Sequence, residues 1–65
     1  MIKVTRLNDS KLVVNAELIE FIESIPDTII TLTTGQKIMV KETEEEVVER
    51  VMDYKRSLFT KPITK

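Results

Sequence analysis

The chain contains no cysteine, no histidine and no tryptophan, with one glycine and two prolines among its 65 residues. Without cysteine no disulfide can tie the fold, and without His or Cys the usual zinc sites are excluded. A nucleophilic Ser or Thr would have to find its base in Lys or a carboxylate, because no imidazole is present. One glycine cannot build the loop of several glycines that cradles a phosphate. Long hydrophobic runs are missing too: no apolar stretch exceeds three residues. Nothing therefore approaches the roughly 20 apolar residues that span a bilayer, and residues 1–11 carry no apolar signal region. Positive charge is not concentrated either. Ten Lys and Arg stand against eleven Asp and Glu, and the basic residues are scattered singly apart from Lys55 and Arg56. Phosphate recognition needs a basic patch, and three aromatic residues make a poor stacking platform, so nucleic acid is an unfavoured partner. The expectation is a cytoplasmic chain that is not an enzyme, with no cofactor, no metal and no membrane insertion.

What is present has to fold at a small size. A chain this short buries only roughly 60% of its unfolded surface, and such a core supplies no more than ~3–5 kcal/mol. With disulfides and zinc excluded, self-association or a bound partner is the default expectation.

The first two-thirds of the chain alternates at the period of strands. Ile2 and Val4 share one face and Lys3 and Thr5 the other. Asn8 and Asp9 offer turn chemistry, after which residues 12–15 resume as a second strand. Asn15 is a cap for a connector too short for more than one helical turn. Residues 18–25 are ambiguous in spacing, but the β-branched residues and Phe21 favour a third strand. Pro26 stops it, and Pro26, Asp27 and Thr28 form a turn with Pro26 at its second position. Thr28 to Thr33 reads as a fourth strand. Gly35 supplies the positive φ of the next hairpin turn, and residues 37–41 close the meander.

At Thr43 the period changes to that of a helix. Val47, Val51, Tyr54 and Leu58 fall on one stripe, with Val48, Met52 and Phe59 beside it. Thr43 and Glu46 have capping-box spacing. Glu44, Glu45 and Glu46 suit the positive end of the helix dipole, and Lys55 and Arg56 its negative end. That placement accounts for the run of three glutamates without a metal. Glu17, Glu20 and Glu23 alternate faces on a strand and do not converge. The fold class is therefore α+β: a small five-stranded antiparallel sheet or partly open barrel, then one C-terminal amphipathic helix from about residue 44 to 58. Residues 1–59 form a single domain and 60–65 a flexible tail.

One feature exceeds what a fold alone requires. If Ile2, Val4, Ile30, Leu32, Ile38 and Val40 meet the helix, then Val13, Ile29 and Met39 point away from it, joined by Leu18 and Ile22. A solvated sheet face would be polar there. Val13, Leu18, Ile22, Ile29 and Met39 are thus the candidate interface, unless a closed barrel buries both sets.

The order of these segments resembles the small flagellar FlbD family, also called SwrD for swarming motility. The resemblance runs from Met1 to about Lys55. Its most specific part is Pro26-Asp27-Thr28, followed at matching spacing by Leu32, Gly35, Val40, Glu42 and the pair Glu46-Val47. Family members commonly carry Gly after the Asn of the first turn, where this chain has Asp9. The resemblance implies a cytoplasmic accessory protein of flagellar motility. It implies support of motor power through flagellar motor or stator components, with recruitment to the motor at the inner membrane. It brings no functional residues with it. A small oligomeric RNA-binding barrel, or a regulator or chaperone of another flagellar component, stays open as an alternative.

Overall fold

The computed structural model describes residues 1–60, and the side chains of 1–58. Five strands and one helix follow in the expected order: β1 (Ile2–Thr5), β2 (Lys11–Val14), β3 (Ile19–Glu23), β4 (Thr28–Leu32), β5 (Lys37–Val40) and α1 (Glu44–Thr60). A 3-10 turn, Ala16–Leu18, lies between β2 and β3. Helix α1 extends to Thr60, the first residue of the expected tail; the remainder of that tail lies outside the described residues.

The strands do not form one sheet or barrel. They make a two-stranded sheet, β1-β2, and a three-stranded sheet in the order β3-β4-β5, all antiparallel. One bridge, Arg6 to Val40, joins the two, beside a bond from Lys41 N to Thr5 O of 2.8 Å. Local chemistry explains why pairing stops there. After Arg6 the chain enters a tight turn, closed by Asp9 N to Arg6 O and by Arg6 N to Ser10 O, both 2.9 Å. Asn8 Oδ1 accepts from the Ser10 amide and hydroxyl, and Asp9 takes a φ of 73°, which its short polar side chain tolerates. After Val40 the other chain segment turns into the helix. At the opposite end, Asn15 Oδ1 accepts from Glu17 N at 3.0 Å and starts the 3-10 turn, so β2 runs into a corner rather than pairing with β3.

The second sheet is tied by tighter turns. Gly35 has a φ of 93° between Gly35 N to Leu32 O and Leu32 N to Gln36 O, both 2.8 Å. The link from β3 to β4 passes through Ser24 to Asp27, with a cis peptide between Ile25 and Pro26.

All six residues expected to meet the helix are buried, and they form one cluster with Val14, Ala16 and Val47. Ile30 and Val47 are wholly enclosed, and Val51 and Tyr54 pack at the cluster's edge. The capping box closes as spaced: Glu46 N donates to Thr43 Oγ1 at 3.1 Å, and Thr43 N to Glu46 Oε1 at 2.8 Å. The helical stripe outlasts the core beneath it. Leu58 is 44% exposed, and Val48 and Met52 also face water. At about 1.5 Å per residue, the 17-residue helix outruns strands of four and five residues. The molecule is accordingly elongated, 44 × 23 × 18 Å.

Candidate interaction surface

Strand pairing determines which side chains share a face. Ile22 pairs with Ile30, which pairs with Ile38; all three point to the core. The opposite face of the three-stranded sheet therefore holds two rows. One is Phe21, Thr31 and Lys37, the other Glu23, Ile29 and Met39. Phe21 is 58% exposed and Met39 49%, while Ile29 between its neighbours is half-buried. Thr31, between Phe21 and Lys37, is buried.

Of the residues expected on an outer face, Ile29 and Met39 are brought together as direct cross-strand partners. Leu18 is exposed in the 3-10 turn that leads into β3. Val13 is exposed but belongs to the other sheet, opposite Lys3. Ile22 is a correction: it packs against the core. The cause is a β-bulge between Ile19 and Phe21. An extra residue at Glu20 resets the alternation, so Ile19 and Ile22 both face inward and Phe21 faces out. Spacing in the sequence carries a trace of this, because Ile19 and Ile22 cannot share a face of a regular strand.

The face is graded in charge. Between Lys11 and Lys37 the chain has four acidic residues and no basic one, so the β3 side is negative. On β5, Lys37 stands on the side that carries Met39, and Lys41 follows the end of the strand. Among the described residues neither Glu23 nor Lys37 makes an ion pair, whereas Lys41 pairs with Asp9. The Lys41 ammonium, bonding to Asp9, lowers that carboxyl's pKa.

Some of the residues behind the family resemblance, though not Leu32, Gly35, Glu46 or Val47, converge at another place. Pro26, Asp27, Thr28, Val40, Glu42 and Thr43 line one open hollow of about 460 Å³, together with Leu7, Ser24 and Lys41. Glu42 anchors this junction, with its side chain only 9% exposed. Its carboxylate accepts from Thr5 N and Thr5 Oγ1, each at 2.9 Å, and from Arg50 Nη1 at 3.0 Å. Arg50 also donates to Lys3 O at 2.6 Å. One carboxylate thus fastens β1, the end of β5 and α1. Burial alone would raise its pKa, but the bonds from Thr5 and then Arg50 outweigh it and bring the group to about 2. Sequence reading places Glu42 only in the resemblance, because nothing local shows that a residue between a strand and a helix is buried.

The remaining acids are dispersed. Glu46 is engaged in the cap, Glu49 and Asp53 bond to Arg56, and no group of three carboxylates converges among the described residues. No helix among them is long and apolar enough to cross a membrane.

Fold and surface together describe a small α+β domain with a hydrogen-bonded junction at Glu42 and an outer sheet face that mixes Phe21, Ile29 and Met39 with Glu23, Thr31 and Lys37. The chain belongs to the FlbD family of flagellar and swarming motility proteins, whose family model matches residues 1–59. Comparison with curated proteins and with solved structures returns no match.

Proposed function

We propose that this chain is a cytoplasmic accessory protein of flagellar motility that supports the output of the motor through protein contacts rather than catalysis. The observation that carries the reading is the family membership over residues 1–59. The surface supports it: Phe21, Met39 and the outer side chains of α1, Val48 and Met52, are large apolar groups left in water. Exposed apolar patches of this kind are the usual mark of a contact site. Motor or stator components are the partners this reading implies.

Deleting the gene from its motile host tests the proposal. The expected strain builds filaments in normal number but swarms weakly on soft agar, and the intact chain supplied in trans restores it. A strain without filaments would replace the motor role with one in assembly. Unimpaired swarming would reject both.

A further inference from the structure

Strand β3 is a free edge of its sheet. It pairs with β4 alone, and the 3-10 corner at Ala16–Leu18 carries the chain from β2 to β3 without pairing the two. The direction of its backbone groups follows from the ladder. Leu32 N donates to Gln36 O at 2.8 Å, and hydrogen-bonded pairs alternate along antiparallel strands. Ile30, two residues back, therefore directs its amide and carbonyl to Ile38. Ile22, opposite Ile30, is left with its own N–H and C=O turned to the open edge. The core is open there as well: Ile30 is wholly enclosed, whereas Ile19 and Ile22 on β3 are only half-buried.

Two kinds of side chain surround this edge. Leu18, Phe21 and Ile25 are 39%, 58% and 85% exposed. Interleaved with them are Glu17, Glu20 and Glu23, all exposed and without an ion pair among the described residues.

We propose that the β3 edge receives an extended basic segment of a partner protein, added to the sheet as a further strand. Main-chain bonds to Ile22 supply the attachment, as in other strand additions to open sheet edges. Apolar side chains on the inner face of the added strand cover Ile19 and Ile22. Lys or Arg side chains on its other face meet Glu20 and Glu23. Charge decides the occupant. A second copy paired β3 to β3 would bring Glu20 and Glu23 of both chains to one seam, and like charges on paired strands are unfavourable. Charged edges keep strands of one kind apart, and the same acids select a partner of opposite sign. The binding concerns the purified chain alone and so stands apart from the motility reading.

Fluorescence polarisation with a labelled peptide of about nine residues, alternating Lys and Val, tests it. The peptide should bind, and the Ile22 amide should then exchange with solvent at least about tenfold more slowly. Reversing charge with Glu20→Lys and Glu23→Lys together, both at exposed positions, should weaken binding about tenfold, with circular dichroism confirming that the fold is kept. N-methylating the peptide amides that face β3 keeps every charge but removes main-chain donors, and should also weaken binding about tenfold. A peptide with Glu in place of each Lys should not bind at the same concentrations. Failure of the Lys–Val peptide to bind overturns the proposal, as does binding indifferent to the charge reversal. Equal binding of the N-methylated peptide would reduce the attraction to charge alone and overturns it too. So does Ile22 protection that grows with protein concentration in the absence of peptide, which would put a second copy at this edge.

Discussion

Replacing Glu42 with Gln should cost about 2–3 kcal/mol at neutral pH, and the cost should disappear in acid. The native carboxylate accepts three hydrogen bonds, two from Thr5 and one from Arg50. In the Glu42→Gln variant one oxygen still accepts from Thr5 N, but the amide nitrogen meets the Arg50 guanidinium as donor against donor. Bonds to charged groups contribute ~1.5–3 kcal/mol each, and an orphaned partner adds to the loss. The pH behaviour supplies an independent magnitude. A carboxyl at about 2 in the folded chain, against 4.5 as its ordinary value, corresponds to roughly 3 kcal/mol. Because Arg50 is 41% exposed, water screens part of that interaction, hence the lower bound of about 2 kcal/mol. The folded value is depressed, so the contribution is complete above the unfolded value and fades as pH falls toward the folded one. Urea unfolding followed by far-ultraviolet circular dichroism reads both chains at each pH, and other carboxylates cancel in the difference. The gap should be full at neutral pH and shrink below about 0.5 kcal/mol near pH 2. A gap that persists unchanged into acid would refute the reasoning, because the lost contribution would then not be the carboxylate's charge.

Other positions give smaller, separable effects. Thr43→Ala removes the acceptor of Glu46 N and should lower stability by about 1 kcal/mol in the same urea assay. Val47→Ala empties a wholly enclosed site and should cost about 2 kcal/mol, from two lost methyl groups and the cavity they leave. Gly35→Ala meets no atom within 4 Å but must keep a φ of 93°; a loss of about 1 kcal/mol is expected from backbone strain alone. Leu58→Ala, on the overhanging end of α1, should stay within about 0.5 kcal/mol.

Much of this architecture was legible because local signals agreed with one another. Thr43 with Glu46 announced the start of α1, and the Val47, Val51, Tyr54 spacing its buried side. Gly35 and Asp9 stood where left-handed backbone was needed. The number and order of strands followed from the same alternation. Closure of the strands into one sheet did not follow, because it depends on how far β1 and β5 stay side by side. They part after Arg6 and Val40, where one segment turns back and the other becomes helical. The outer face was read half correctly for a related reason. Ile29 and Met39 lie on regular strands, where alternation holds, but the bulge before Phe21 moved Ile22 inward and Phe21 outward. Val13 kept its exposure but sits on the other sheet. Glu42 was hidden for want of a local pattern: its partners Thr5 and Arg50 lie 37 and 8 residues away.

Torque of single tethered motors tests the central claim most directly. In a strain deleted for this chain, with filament number counted in the same culture, the account predicts assembled motors that turn more slowly under high load. Restoring the intact chain should return the speed. Motors of unchanged torque, in cells bearing normal filaments, would contradict the proposal that this protein supports motor output.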